Sequence, residues 1–158
     1  MADYGVGGDT WEPLDWAWAA ERLVPNRNYW VVTVNADGRP HAMPVWGIWD
    51  DEELRFEFGC APSSRKARNI AANPQVTFTN SDTVECVSVQ GEAWLVTDPE
   101  RIEWWADRQV AKYGDEIGPD YREFVKEHPV FEVKPRVAFG IIERVDEFST
   151  RATRWRFA

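Results

Sequence analysis

The sequence predicts a mainly β fold with α-helical additions, an antiparallel barrel flanked by helices. Three observations point there. Short runs rich in β-branched and aromatic residues recur between turn-forming residues. These runs follow one another directly, as antiparallel strands do. Helical signals are limited to a short N-terminal stretch, a basic segment and one block ahead of the last strands. Short strands separated by tight turns favour closure over an open sheet, because closure removes unpaired edges. At 158 residues the chain makes one domain. It is expected to span 11–158, after a loose tail over 1–10 that holds three glycines.

The elements are read in order. A helix is expected from about Pro13 to Leu23, with Trp16, Ala20 and Leu23 on one face and Pro25 beyond its end. A hairpin follows: Tyr29 to Val34, a turn at Ala36-Asp37-Gly38, then Pro40 to Trp49. Past an acidic turn, Leu54, Phe56 and Phe58 alternate with outward Arg55 and Glu57. Ser63 to Ala72 reads as a serine-capped helix stopped by Asn73-Pro74. Strands are expected over Gln75 to Asn80 and Val84 to Val96, the second with a bulge at Gly91. A helical insertion occupies about 98–129. Its first helix is capped by Asp98, presents Ile102, Trp105, Ala106, Val110 and Tyr113, and ends before Gly114. Its second runs from about Pro119 to Glu127, with Tyr121, Phe124 and Val125 as the apolar positions. Val137 to Glu143 is a further strand. Thr153 to Phe157 is a last strand or a segment docked on a partner.

Composition narrows the function. Eighteen basic and 27 acidic side chains leave a net charge of −9, which repels phosphate backbones and anionic lipid. Nucleic acid and membranes are therefore not expected partners. Cys60 and Cys86 have no CxxC spacing, and with only His41 and His128 they do not make a zinc set, so no metal is expected. The acidic N-terminus is no signal peptide and no apolar run approaches the ~20 residues of a span, so the expected location is the cytoplasm. Ten tryptophans suit a core, a dimer seam or the walls of a pocket for a planar ligand.

Two segments carry candidate chemistry. Arg65, Lys66 and Arg68 bring three cations into the first turn of a helix, where the dipole disfavours them unless an anion sits beside them. A phosphate group is the natural ligand, and a solvated basic face is the alternative. In the second segment, Pro40 and Pro44 remove ladder hydrogen bonds from a strand, Gly47 permits a close approach, and Trp46 and Trp49 offer flat faces. Such a strand lines a planar ligand, or it is an edge protected against aggregation. His41 and Tyr113 are the candidate proton donors. No nucleophile with its base, and no phosphate-loop or dinucleotide motif, is present.

The ordered set Tyr29-Trp30, Asp37-Gly38-Arg39-Pro40-His41, Pro44-Val45-Trp46-Gly47, Ser64-Arg65-Lys66-Ala67-Arg68-Asn69 and Asn73-Pro74 resembles the pyridoxamine 5'-phosphate oxidase-like superfamily. Within it the chain looks most like the flavin- and deazaflavin-dependent oxidoreductases, and Ala152 to Phe157 resembles that branch's tail. The resemblance implies an antiparallel split β-barrel of the FMN-binding type with flanking helices. It implies a homodimer with two cofactors, each bound at the subunit interface. Ser64, Arg65 and Lys66 would hold the cofactor phosphate, Pro44, Val45 and Trp46 would lie along its ring, and Arg68, Arg154 and Trp155 would add contacts. Asn69 and Asn73 are assigned to capping and packing. The implied cofactor is coenzyme F-420, a deazaflavin, with FMN as the alternative. The implied reaction is hydride transfer to an electron-poor double bond of a small molecule. An FMN-dependent oxidase or reductase, and a non-catalytic cofactor- or haem-binding module, are the rival readings. The insertion is expected over the pocket mouth, where it sets substrate choice.

Overall fold

The structure, a computed structural model, describes residue 6 and residues 9–158, so most of the expected N-terminal tail lies outside the described residues. Seven strands form one antiparallel sheet: β1 (Asn28–Val34), β2 (Pro40–Asp50), β3 (Arg55–Gly59), β4 (Gln75–Thr79), β5 (Glu85–Leu95), β6 (Val130–Ile142) and β7 (Thr153–Arg156). Their order is β3-β2-β1-β4-β5-β6-β7, and a further β3–β6 pairing closes six of them into a barrel. Five helices flank it among the described residues: α1 (Trp16–Leu23), α2 (Arg65–Ala72), α3 (Pro99–Ile117), α4 (Tyr121–Lys126) and α5 (Phe148–Arg151). The expected split β-barrel class is the observed one.

Strand alternation fills the barrel with aromatic and β-branched side chains. Tyr29, Val31, Phe56, Phe58, Phe78, Val87, Val89 and Val133 are all fully buried. Phe56 stacks on Phe78 with centroids 4.2 Å apart, and Tyr29 tilts against Phe56 at 4.7 Å. Gly47 explains itself here: a Cβ at that position would meet the Phe56 ring at 2.4 Å. The close approach it permits is by a core ring from inside the barrel. Gly91 lies at the expected bulge, where the β5–β6 register shifts after Gln90 and a Cβ would strike the Lys134 carbonyl oxygen at 2.2 Å.

Several boundaries differ from expectation, each for a local reason. Helix α1 begins at Trp16 rather than Pro13, because the Asp15 carboxylate accepts from the Trp18 N–H and caps it there. Its buried pair is Ala19 and Leu23, while Ala20 is only half-buried. Helix α3 runs through Gly114 to Ile117; the terminating residue is Gly118, whose φ of 113° suits glycine. The α5 turn was not expected. Strand β6 starts at Val130, seven positions before the expected Val137. Its Pro135 obscures the strand in the sequence, yet sits where β6 changes neighbour. One edge of β6 pairs with β3 over Val130–Val133 and with β7 over Val137–Gly140, leaving residues 134–136 between. The last segment is a strand of this chain's own sheet.

Glu57 marks a larger difference. It does point outward from the barrel, opposite Glu132 of β6, but the outer wall is covered there by α3 and α4. Ile48, Val96, Trp105, Ala106, Tyr113, Tyr121, Val125 and Val130 form a second core between wall and insertion. Glu57 and Glu132 are therefore 1% and 2% exposed. The Arg101 Nε of α3 donates to Glu57 at 2.6 Å and to Glu132 at 3.1 Å, and Arg55 reaches Glu132 at 2.7 Å. Burial, then the hydrogen bond to Glu132, lifts the Glu57 carboxyl to about 8, while Arg101 opposes the shift. The folded chain thus holds a proton on Glu57 at pH values where an unfolded carboxyl has lost it. The stabilisation from this group is complete below the ordinary carboxylate range and is lost as pH rises through about 8. Between those limits one such group gives a slope of at most about 1.4 kcal/mol per pH unit. Thermal unfolding at pH 6 and pH 9 is expected to show a smaller loss of Tm for Glu57→Gln than for the wild type.

Candidate functional site

Strand β2 changes partner along its length. Pro40 to Trp46 pair with β1, whereas β3 begins to pair only at Gly47. The second edge of residues 40–46 has no strand beside it among the described residues, and Pro40 and Pro44 sit in this stretch. Met43 points to the barrel side yet is 42% exposed, because nothing covers that edge. An edge with free carbonyls and missing N–H groups is suited to lie along a ligand.

After β3 the chain leaves the barrel through Gly59, Cys60 and Ala61 and enters α2. Ser64 caps α2: its hydroxyl accepts from the Ala67 N–H at 3.2 Å and donates to Cys60 Sγ at 3.2 Å. Ala67 and Ile70 bury into the barrel core. Asn69, 6% exposed, donates to Thr33 Oγ1 at 2.9 Å and Asn35 Oδ1 at 3.1 Å, tying α2 to the end of β1. That tie places the N-terminus of α2 beside the β1–β2 turn, where Asp37 pairs with Arg39 at 2.6 Å. The Arg39 hydrogen bonds hold Asp37 below the usual carboxylate range, and Arg65 adds a small pull.

Arg65 and Lys66 make no hydrogen bond or ion pair among the described residues. Arg68 donates to the Ser63 carbonyl instead. Two free cations are notable in a chain of net charge −9, where acidic partners are plentiful. They flank backbone N–H groups of a first helical turn that lack intrahelical acceptors. These donors fit a phosphate group, and the neighbouring β2 edge fits a flat ring.

Trp46 stands where the uncovered edge meets the insertion. Its ring stacks on Tyr113 with centroids 5.2 Å apart and planes 11° apart, and meets Tyr121 edge-on at 6.3 Å. The Tyr113 hydroxyl lies 2.8 Å from the Arg27 carbonyl oxygen and 2.9 Å from that of Gly47, and accepts from the Gly47 N–H at 3.2 Å. Burial pushes this phenol up to about 12. Lys112 adds a second support: Nζ is 3.2 Å from each of the Val24 and Gly47 carbonyl oxygens and from the Tyr29 hydroxyl. With no carboxylate near it, burial brings its ammonium down to about 8. Beside Trp46 opens a pocket of about 360 Å³, lined by Gly59, Cys60, Ala61, Trp105, Tyr121, Phe124, Val125 and His128.

The expected site residues fall into three groups. Ser64, Arg65, Lys66 and Arg68 share the start of α2, and Pro44 and Trp46 lie on the uncovered part of β2. Val45 is 7% exposed in the barrel core, so only its backbone is available. Arg154 and Trp155 lie on β7, at the opposite end of the strand order from β2. Trp155 packs edge-on against Trp16 at 5.4 Å, and Arg154 is exposed without an acidic partner. His41 is half-buried, its carbonyl 3.5 Å from Thr33 Oγ1. Tyr113 is buried behind Trp46. Trp105, Tyr121, Phe124 and Val125, expected on apolar helix faces, meet with His128 in one pocket that the sequence pattern does not reveal. The available signal was the density of aromatic residues between 104 and 128.

The outer wall away from the insertion is open. Trp30, Val32 and Val34 of β1 share it with Val137 and Phe139 of β6, and Arg154 stands at its β7 end. Trp30 is 47% exposed.

A closed antiparallel barrel with flanking helices, one of them basic and serine-capped, defines a split-barrel protein. The chain belongs to the pyridoxamine 5'-phosphate oxidase family, whose model matches residues 19–141. That family consists largely of oxidoreductases and binds flavins. The fold is shared with the conserved hypothetical protein Rv2991 from Mycobacterium tuberculosis, at TM-score 0.67 and 21% identity over 79% of this chain and 82% of that one. It is shared with an F420 reductase, at TM-score 0.61 and 23% identity over 79% and 98%. A 5-nitroimidazole antibiotic resistance protein from Bacteroides thetaiotaomicron aligns at TM-score 0.68 and 15% identity over 80% and 82%. Comparison with curated proteins gives no match. Among the described residues no helix is long and apolar enough to cross a membrane.

Asn69→Ala removes the tie between α2 and β1 and leaves buried Thr33 without its donor. Urea unfolding is expected to show a loss of about 1–3 kcal/mol.

Proposed function

We propose that this chain is a flavin- or deazaflavin-dependent oxidoreductase that acts as a homodimer, and that its cofactor is coenzyme F-420. The observation that carries the reading is the pair of unpartnered cations, Arg65 and Lys66, at the capped start of α2 beside the uncovered edge of β2. A phosphate is held by those side chains and the first-turn N–H groups. The backbone of residues 44–46 lines the ring, and Trp46 closes the side toward the pocket. The cofactor, when bound, supplies hydride-transfer chemistry to an electron-poor double bond. The protein orients the two reactants and keeps water out. No side-chain dyad is required for that task, which agrees with the buried, backbone-bonded hydroxyl of Tyr113.

The dimer reading rests on the open outer wall. Trp30, Val32 and Val34 of β1 and Val137 and Phe139 of β6 flank the polar Thr77, Thr79, Ser88 and Gln90, a mixed face that suits a second copy, and Arg154 borders it on β7. The family model favours a second reading for the cofactor, since it describes a pyridoxamine 5'-phosphate oxidase and is compatible with FMN.

Fluorescence titration of purified protein with FMN and with coenzyme F-420 tests the proposal. Tight binding of the deazaflavin alone is expected; tight FMN binding alone transfers the chemistry to the second reading, and binding of neither removes both. Arg65→Ala combined with Lys66→Ala is expected to weaken cofactor binding roughly 100-fold or more while leaving Tm nearly unchanged.

A further inference from the structure

The pocket beside Trp46 has a chemical character that a phosphate site does not require. Aromatic Trp46, Trp105, Tyr121 and Phe124 dominate its walls, joined by Cys60, Ala61, Val125 and His128, with no Lys, Arg or carboxylate among them. The Tyr121 and Phe124 rings lie within 22° of parallel, and Trp46 is braced from behind by Tyr113. A volume of about 360 Å³ suits one flat fused-ring molecule.

A second, independent observation concerns two hidden donors. Trp105 and Gln109 are 2% and 1% exposed, and Trp105 Nε1 and Gln109 Nε2 have no acceptor among the described residues. Native proteins seldom leave a buried N–H unmet. The Gln109 carbonyl oxygen is occupied by the Tyr121 hydroxyl at 2.6 Å, so the amide contributes only its N–H groups. Trp105 Cζ2, on the ring edge that carries Nε1, lies 3.7 Å from where a Cβ of Gly59 would stand, and Gly59 lines the pocket. Trp105 lines the pocket and Gln109 is joined to it through the lining residue Tyr121, while the short helix α4 carries Phe124, 57% exposed, at its border.

We propose that this pocket takes a flat, uncharged, conjugated bicyclic compound whose carbonyl-type acceptor is read by Trp105 Nε1 and Gln109 Nε2, with Phe124 stacking over it. The insertion thereby selects the substrate. This deepens the oxidoreductase reading, on which the ligand's role as substrate rests; the binding itself does not depend on a cofactor.

The test uses ¹⁵N-labelled protein and three bicyclic probes: chromone, which carries a carbonyl; naphthalene, which carries none; and N-methylquinolinium, a cation. The Trp105 indole N–H resonance is identified by its absence in Trp105→Phe. Chromone is expected to move that resonance downfield, naphthalene to leave it in place, and the cation not to bind. Calorimetry is expected to give roughly three- to tenfold weaker chromone binding for Phe124→Ala, an exposed position whose loss does not threaten folding. The proposal is overturned if chromone leaves the Trp105 resonance unmoved, if naphthalene moves it equally, or if Phe124→Ala binds chromone as well as the wild type. Tighter binding of the cation would make the pocket a cation–π cage and also overturn it. Chromone binding without FMN or F-420 binding upholds the pocket and removes the cofactor reading; cofactor binding without chromone binding does the reverse.

Discussion

Four residue pairs between β3 and β6, from Phe56–Val133 to Gly59–Val130, turn a twisted seven-stranded sheet into a barrel. Once that seam closes, alternation along each strand acquires an inside and an outside. Phe56 and Phe58 on one side of β3 meet Tyr29, Phe78 and Phe131 across the interior. The residue between them, Glu57, is forced onto the outer wall opposite Glu132. The same seam determines where pairing stops. Because β3 is only five residues long, its pairing with β2 stops at Gly47, and residues 40–46 keep β1 alone, with their other edge open.

The outer wall divides into two regions with different occupants. One half is covered by α3 and α4, fastened by Arg101 to the carboxyl pair and by Lys112 and Tyr113 to the backbone around Gly47. The other half is open, apolar along β1 and β6 with Thr77, Thr79, Ser88 and Gln90 between them. Trp46 lies on the border, stacked on the insertion and flanked by the uncovered stretch of β2. The basic start of α2, the aromatic pocket and the open wall therefore all border one strand. The same fastening responds to pH, because burial raises the Glu57 carboxyl and lowers the Lys112 ammonium.

Much of the architecture was legible from local chemistry. The hairpin at Asp37-Gly38, the serine cap of α2 and the Gly91 bulge are each set by residues close in sequence. The basic turn at Arg65 and Lys66 was legible for a different reason, since concentrated like charge is unfavourable without an anion. Less legible were features that depend on a distant partner. Pro135 argued against a strand until β6 was seen to exchange β3 for β7 at that point. Gly114 argued for a helix end, yet its modest cost is met by packing of Tyr113 against Trp46.

By itself, then, the sequence determined the class of fold, its hairpins and the basic, serine-capped start of α2. These follow from periodicity, turn stereochemistry and charge, all of which act over a few residues. The tertiary structure alone decided that Glu57 is buried, that β2 has an uncovered edge, and that Trp105, Tyr121, Phe124 and His128 surround one pocket. Burial and cavity shape depend on which segment covers which. Here that was settled by closure of the barrel and by the packing of a helical insertion onto its outer wall.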